Sequence, residues 1–352
     1  MDSGLRRNDE KMNKSSLSRS STHGTKTKSQ LMTPGLVSTI IPVFNRPAQL
    51  REAVQSVLDQ EYRPIEIIIV DDGSTDETLA TAQALERNHP GIVRVMSKAN
   101  GGPGLAREHG RLRARGEFIQ YLDSDDVLLP GKFVAQVSAL RYAPAAGVAY
   151  GLTRFRQTNG ESVPGPWKGS GVRRDTMFPS FLTERWWDTP TPLYRATVCH
   201  AAGPWTDLRL EEDWEYDCRI AALGTRLAWC DVFVAEVRDH EGGRLCRGTA
   251  IDTNRNMQRA RSHELIFSHA VRAGMAGTPE MRHFARALFL LSRQCGASGL
   301  AEQSRRLFAL ARQASGVSRS RGMDFRAYGL AANLMGWNSM GRLSHWVDGM
   351  RR

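Results

Sequence analysis

The chain has 352 residues, of which 41% are hydrophobic, and a formal net charge of +11. This length allows one or two domains with a buried core. The composition argues against a disulfide framework, because the five cysteines are odd in number and scattered, and no pair has the spacing of a zinc site. No apolar run is long enough to predict a membrane span. A reduced, cytoplasmic setting is therefore expected.

The uneven distribution of charge divides the chain into three regions. Residues 1–34 are rich in Ser, Thr and Lys and lack apolar periodicity, so we expect a disordered leader, with Met32 as an alternative start. Residues 241–352 carry eighteen Arg and no Lys against seven acidic residues. A mildly acidic domain over residues 35–240 lies between the leader and this basic tail.

Three segments of the first half are predicted to be strands of one mainly parallel sheet. They are residues 36–41, the β-branched run 65–70 and residues 117–122. Apolar residues recur at helical spacing over 50–58, between the first two strands. Strand, polar break, helix and strand in this order indicate βαβ units.

Polar residues follow each of these strands at the edge where parallel α/β sheets bind ligands. Asn45 follows the first strand and Asp72 the second, while Asp123, Asp125 and Asp126 follow the third. Three carboxylates so close together repel each other and resist burial. A hard divalent cation would neutralise them. The alternative is a polar loop that caps the next helix.

Two helix starts are predicted from capping residues. Ser74 with Glu77 fits a capping box, which places a helix start at that point. Asp126 is expected to cap the helix that follows the carboxylate cluster.

Four stretches, in this order and spacing, resemble the nucleotide-sugar domain of the family 2 glycosyltransferases. A fifth stretch, which begins at Glu211, resembles the acceptor-side motif of that family. The resemblance covers about residues 36–240 and implies an α/β, GT-A-like fold, with a mainly parallel mixed sheet flanked by helices and a C-terminal helical extension. It divides the domain into a nucleotide-sugar half (35–150) and an acceptor half (151–240). The five stretches are Val37–Asn45, Ile69–Asp76, Asn100–Arg107, Gly116–Asp126 and Glu211–Trp214.

A donor-binding site follows from the resemblance. Asp72 is expected to read the uracil base, and Asn45 and the backbone of Pro42 to line the same pocket. Arg107 follows a Gly-rich stretch that opens a helix, where phosphate is favourably placed. Asp123 is expected to face the ribose or the metal. The alternatives are a turn-forming Asp72 and an exposed helical Arg107.

The resemblance also implies a metal and a general base. Asp125 is expected to bind Mn²⁺ or Mg²⁺ directly, with His240 assisting. Asp213 is the proposed base that takes the proton of the acceptor hydroxyl. The neighbouring charges of Glu211 and Glu212 are expected to raise the pKa of Asp213. The alternative is an acidic helix N-terminus favoured by the dipole.

The sequence gives the fewest indications for the residues that bind the acceptor. Trp186 and Trp187 are candidate platforms for a sugar ring, and Glu212 is a further acceptor-side candidate. Two adjacent Trp residues are equally consistent with a core or an interface.

The function implied by the resemblance is inverting, metal-dependent transfer of a sugar from a nucleotide-diphospho donor, with a uridine donor favoured. The acceptor would be a glycan or a lipid-linked molecule in cell-surface polysaccharide synthesis. One alternative is a catalytically inactive sugar-nucleotide sensor or scaffold. A nucleotidyltransferase is disfavoured, because Asn45-Arg46-Pro47 stands where its Gly-rich basic signature is expected.

The tail is predicted to contain at least one helical hairpin, from apolar spacing over 284–291 and 307–311. Three interpretations of its charge remain open. It is an ordinary helical domain with a solvated basic face, a contact for the inner face of an anionic membrane, or a nucleic-acid contact. The tail shows no recognised nucleic-acid-reading motif, so nucleic acid is not expected as a partner.

Overall fold

A computed structural model of the protein describes residues 32–239, 251–316 and 323–350. Its centre is an eight-stranded sheet with the strand order β3-β2-β1-β4-β7-β6-β8-β5. In chain order, β1 to β8 are Thr33–Val43, Ile65–Asp71, Val93–Ser97, Gly116–Tyr121, Val127–Leu128, Ala146–Arg156, Leu193–Arg195 and Arg226–Arg238.

Eleven α-helices in the described residues surround this sheet and form the tail. The helices α1 to α6 are Pro47–Leu58, Thr78–Asn88, Pro103–Arg111, Lys132–Tyr142, Ala196–Ala202 and Glu212–Ala221. In the tail, α7 to α11 are Thr253–Arg272, Pro279–Ala297, Ala301–Ala314, Met323–Met335 and Trp337–Met350.

The first four strands of the sheet order are parallel, which confirms the predicted βαβ units. β1 pairs in parallel with both β2 and β4, and β2 pairs in parallel with β3. The remaining half is mixed, because β7 runs antiparallel to β4 and β6. Since the carboxyl ends of parallel strands share an edge, the loops after β1, β2 and β4 meet there.

Helix α1 forms where the apolar spacing predicted it. Pro47 occupies the first turn, where the missing N–H is tolerated. Leu50, Ala53, Val54 and Val57 are fully buried against the sheet. Burial of a large apolar side chain is worth about 1.5–3 kcal/mol, so this stripe fixes the helix against β1 and orients the loop before it.

Both capping predictions are wrong. α2 begins only at Thr78, and Ser74 Oγ instead accepts a hydrogen bond from the Asn45 N–H. α4 begins at Lys132, and Asp126 Oδ1 accepts from the Arg238 N–H at 3.1 Å. In both cases the side chain that local spacing assigned to a helix cap instead accepts a hydrogen bond from a residue distant in sequence.

The tail helices pack on the acceptor half. One apolar cluster contains Tyr121 and Tyr194 of the sheet together with Phe284 and Phe308 of the tail. The predicted hairpin is present as α8 and α9, joined by a hydrogen bond from Ser292 Oγ to the Ser304 carbonyl at 2.7 Å. Within the described residues, no helix is both long and apolar enough to cross a membrane.

Candidate active site

The loops after β1 and β2 are bound to each other through Asn45. Its Oδ1 accepts from the Thr75 N–H at 2.8 Å, and its backbone has a φ of 52°. Asn tolerates this left-handed conformation better than most residues. Pro42 lies opposite Val70 near the carboxyl ends of both strands. The predicted roles of Asn45 and Pro42 in a nucleotide pocket stay predictions.

Asp72 is buried and holds the Gly-rich loop in place. Its carboxylate accepts from the Gly101 N–H at 2.9 Å, the Gly102 N–H at 2.7 Å and Lys98 Nζ at 2.6 Å. A carboxylate has about four acceptor sites, so one is left for a base N–H. Asp72 thus positions the loop that precedes α3. Its expected hydrogen bond to the uracil base stays a prediction.

Arg107 connects the two halves of the domain. Its Nη2 donates to Asp123 Oδ1 at 2.5 Å and its Nη1 donates to Glu212 Oε1 at 2.7 Å. The guanidinium also lies over the ring of Trp205, 4.9 Å from the centroid. Burial disfavours the charged form of Arg107. The carboxylates of Asp123 and Glu212 favour the charged form more strongly, so the pKa of Arg107 is raised. The predicted exposed alternative for Arg107 is therefore wrong.

The three carboxylates after β4 lie in different environments. Asp123 and Asp125 are 31% and 16% exposed, and Asp125 forms an ion pair with Arg46. Asp126 is buried, and burial together with the charges of Asp125 and Asp123 raises its pKa well above the usual range. The crowding inferred from the sequence is therefore present in the structure.

The carboxylate oxygens at this edge of the sheet are suitable ligands for a hard cation. A divalent ion would offset the repulsion that raises the pKa of Asp126, and carboxylate oxygens are its preferred ligands. Within the described residues, no group of three His, Cys, Asp or Glu side chains converges on a single metal position. The assignment of Asp125 to a metal therefore stays a prediction. His240 lies outside the described residues.

Helix α6 begins with a cluster of acidic residues, two of which contact side chains of the tail. Glu211 adopts a φ of 58° and pairs with Arg259 Nε at 2.9 Å and with His263 Nδ1 at 3.1 Å. Glu215 pairs with His269 Nε2 at 2.8 Å. Helix α7 therefore clamps the helix that carries Asp213.

Asp213 is held by donors from the acceptor half. Its Oδ2 accepts from Arg185 Nη1 at 2.7 Å and from Thr189 Oγ1 at 3.2 Å. Its side chain is still 26% exposed. Burial alone would raise the pKa of Asp213, but Arg185 and then Arg107 outweigh it and lower the pKa. The expectation that its acidic neighbours raise this pKa is wrong, because Glu211 turns towards the tail.

Glu212 is the carboxyl group with the raised pKa. Its side chain is only 8% exposed, and burial followed by the charge of Asp213 raises its pKa to about 7, although Arg107 opposes this. An excess of acid adds to the effect of burial on this pKa, because two guanidiniums pair with four carboxylates. The guanidiniums are those of Arg107 and Arg185, and the carboxylates are those of Asp123, Glu212, Asp213 and Asp217.

Trp186 and Trp187 are not acceptor-binding platforms, so that prediction is wrong. Both side chains are fully buried in the main apolar cluster. Trp187 Nε1 donates to Asp217 Oδ2 at 2.8 Å, and Trp186 Nε1 donates to Ser180 Oγ at 3.0 Å. Their apolar bodies fill the core and their polar edges fix the residues beneath the site.

Two important residues escaped the sequence analysis. Arg185 bridges Asp213 and Asp217, and Lys132 is fully buried beneath the loop that carries Thr189. Lys132 Nζ donates to the carbonyls of residues 190 and 191, each at 2.9 Å. A single Lys on a predicted helix is normally expected to be solvent-exposed, so the neighbouring sequence gives no indication that Lys132 is buried.

A mainly parallel sheet flanked by helices, with further helices at the C-terminal end, is the architecture of GT-A-type transferases. Residues 38–198 match the family profile described as glycosyl transferase family 2. This match confirms the resemblance of that segment to the family 2 glycosyltransferases, as the motifs predicted.

Two relatives illustrate the extent of the sequence match. An uncharacterized glycosyltransferase of Rickettsia felis is 41% identical over 105 residues, which are 30% of this chain and 17% of that protein. The GalNAc(5)-diNAcBac-PP-undecaprenol beta-1,3-glucosyltransferase of Campylobacter jejuni is 30% identical over 141 residues, 40% of this chain and 44% of that protein. The chain thus spans less than half the length of these curated relatives.

The fold is also similar to solved structures. S. aureus TarS 1–349 in complex with UDP-GlcNAc superposes with a TM-score of 0.60 at 19% identity, over 85% of this chain and 92% of that chain. The same TarS fragment without a named ligand gives a TM-score of 0.62 at 20% identity, over 89% and 91%. This likeness confirms the fold class and extends into the tail helices.

Proposed function

We propose that the protein is an inverting, metal-dependent glycosyltransferase that uses a nucleotide-diphospho sugar. The observation that carries this proposal is the position of Asp213. It is a partly exposed carboxylate on the acceptor side and the second residue of α6, and Arg107 links its neighbour Glu212 to Asp123 of the donor edge. Inversion needs a base on the face opposite the leaving group, and Asp213 is proposed for that role.

A uridine donor is favoured by the resemblance that assigns Asp72 to the base. The TarS fragment that shares this fold forms a complex with UDP-GlcNAc, which is consistent with this choice. Mn²⁺ or Mg²⁺ at Asp125 would neutralise the departing diphosphate when bound. Arg46, which pairs with Asp125, would then exchange its carboxylate partner for a phosphate oxygen of the donor.

The chain's own residues provide orientation and proton transfer. Arg185 and Thr189 fix Asp213 Oδ2, and the Trp214 N–H donates to Oδ1 at 2.7 Å. The carboxylate is still 26% exposed, and we propose that this exposed part accepts the proton of the acceptor hydroxyl. Positioning of donor and acceptor supplies much of the remaining rate enhancement. Glu212 stays buried, so its position suits a role in orienting Arg107 better than direct contact with the acceptor.

The acceptor is proposed to be a glycan or a lipid-linked sugar of cell-surface polysaccharide synthesis. The name of the Campylobacter relative includes a PP-undecaprenol acceptor. A cytoplasmic protein that contacts the inner face of the membrane would meet such a substrate. Some tail arginines are unavailable for that contact, because Arg259 pairs with Glu211 and Arg261 with Asp207.

Hydrolysis of a panel of nucleotide sugars by the purified protein, with and without Mn²⁺, tests the proposal. We expect release of nucleoside diphosphate from one donor, dependent on metal and reduced in Asp213→Asn. Tight donor binding with no turnover, unchanged by Asp213→Asn, would instead favour the sensor or scaffold alternative.

A further inference from the structure

The turn formed by residues 188–191 connects the candidate active site with the buried interior of the domain. The Thr191 N–H donates to the Asp188 carbonyl at 2.9 Å, which closes the turn. Thr189 lies inside the turn, and its Oγ1 donates to Asp213 Oδ2 at 3.2 Å. This short segment therefore carries one of the donors that hold the proposed base.

Lys132 of α4 holds this turn in place. Its side chain is fully buried, and its Nζ donates to the carbonyls of Pro190 and Thr191, each at 2.9 Å. These two carbonyls directly follow Thr189 in the chain, so their orientation fixes the backbone from which Thr189 reaches Asp213. Burial lowers the pKa of Lys132, yet a neutral amine still has two N–H donors, so both contacts are available in either protonation state.

Two buried glutamines contact the same two carbonyls. Gln120 Nε2 donates to the Pro190 carbonyl at 3.1 Å, and Gln136 Nε2 donates to the Thr191 carbonyl at 2.9 Å. A carbonyl oxygen has two lone pairs, so each of these oxygens is fully hydrogen-bonded. A rotation of the turn would leave buried acceptors unpaired, which costs free energy. Lys132 is the side chain that joins the two carbonyls.

The packing of α4 does not by itself require an amine at this position. Phe133, Val137 and Leu140 of the same helix are fully buried in an apolar cluster. An amine that loses its hydration is retained at low cost only where hydrogen bonds replace the lost water. An apolar side chain of similar volume would often be at least as stable in such a place. The contribution specific to Lys132 is therefore its pair of hydrogen bonds to the turn.

We propose that Lys132 is a positioning residue, which orients Asp213 through the 188–191 turn and Thr189. The inference rests on the role of Asp213 in the proposed function. Because Lys132 is buried beneath the turn, its loss should lower kcat and leave the KM for the donor unchanged. A merely structural role would act on stability alone and would not depend on Thr189.

A double-mutant cycle between Lys132→Met and Thr189→Val tests this link. Each single variant should lower kcat for nucleotide-sugar hydrolysis about tenfold, because the hydrogen bond of Thr189 to a charged carboxylate is lost in both. The double variant should also lose about tenfold, whereas independent effects would multiply to about a hundredfold. Thr189→Ser keeps the hydroxyl and should retain most of the turnover.

The same cycle measured by urea unfolding does not depend on activity. Lys132→Met and Thr189→Val should be non-additive in the free energy of unfolding, since the two residues belong to one hydrogen-bond network. Gln60→Leu is the matched control, because the buried Gln60 Oε1 accepts from the Phe133 N–H of α4 at 3.3 Å and Gln60 lies outside the turn. Its effect should add to that of Thr189→Val, and its kcat should equal that of the parent.

The outcomes distinguish this inference from the proposed function. Additive effects of Lys132→Met and Thr189→Val in both measurements would overturn the inference. Unchanged turnover in Asp213→Asn, together with coupled free energies of unfolding, would reject the proposed function and still support the link from Lys132 to Thr189. If Lys132→Met does not fold, Gln136→Leu takes its place in the cycle, because Gln136 contacts the turn from the same helix.

Discussion

Arg185 donates one N–H to Asp213 at 2.7 Å and another, from its Nε, to the buried Asp217 at 2.9 Å. Asp217 is in turn fixed by Tyr194 Oη at 2.6 Å and by Trp187. The orientation of the proposed base therefore depends on a fully buried network beneath it. Trp187 therefore supports the proposed base from within the core, through its hydrogen bond to Asp217.

Replacement of Asp213 by Asn tests the proposed base. The amide keeps the shape but does not accept the proton, so turnover should fall by about 10²–10⁴ while donor binding is nearly unchanged. The measurements are steady-state kinetics and donor titration. Glu211→Gln is the control from the same helix start, because Glu211 faces Arg259 and His263. A selective loss of donor affinity in Asp213→Asn would make Asp213 a donor-site residue.

Glu212 should make stability depend on pH. Its pKa rises from 4.5 to about 7 on folding, so the folded state binds more protons than the unfolded state in this interval. The free energy of unfolding should therefore fall as the pH rises from about 4.5 to about 7. Glu212→Gln should flatten this slope in urea unfolding experiments. An identical slope in the variant would contradict the assignment.

The sequence was informative where the signal is local. β-branched runs and helical spacing predicted β1, α1 and β2, because period and burial coincide there. The polar loops at the strand ends were also predictable, since parallel topology alone brings Asn45 and Asp72 to one edge.

The partners of the charged side chains were not predictable, because they come from distant parts of the chain. Arg107 and Glu212 are 105 residues apart, and His269 and Glu215 are 54 apart. The direction of the pKa of Asp213 was therefore misjudged from its neighbours in sequence. Only the tertiary structure shows that Glu211 points away and that Arg185 points in.

Trp186 should matter for stability and not for acceptor recognition. Trp186→Ala removes a fully buried ring and should destabilise the protein by about 3–5 kcal/mol. Trp186→Phe keeps most of the packing, so we expect a folded protein whose KM for the acceptor is unchanged. Thermal unfolding and acceptor kinetics check both points. A raised acceptor KM in a stable Trp186→Phe protein would restore a direct contact with sugar.

Lys132 should affect stability on the alkaline side. Burial lowers its pKa well below 10.5, so the unfolded state binds more protons between the folded pKa and 10.5. The free energy of unfolding should therefore rise with pH in that interval. Lys132→Met keeps the volume and should abolish this rise. Lys168→Met is the control, because Lys168 is exposed and pairs with Asp188. In this variant the free energy of unfolding should still rise with pH.

Asp125 should be required for any stabilisation by a metal–nucleotide complex. A ligand that binds only the folded state raises the unfolding temperature by mass action. We expect Mn²⁺ with nucleoside diphosphate to raise the unfolding temperature of the parent protein and not that of Asp125→Ala.

Loss of Asp125 also removes the partner of Arg46, so Arg46→Gln is needed as a second variant to separate metal binding from this ion pair. Asp231→Ala, at an exposed position of β8, is the control for loss of a carboxylate. A metal-dependent shift of the same size in Asp125→Ala and Asp231→Ala would place the metal elsewhere.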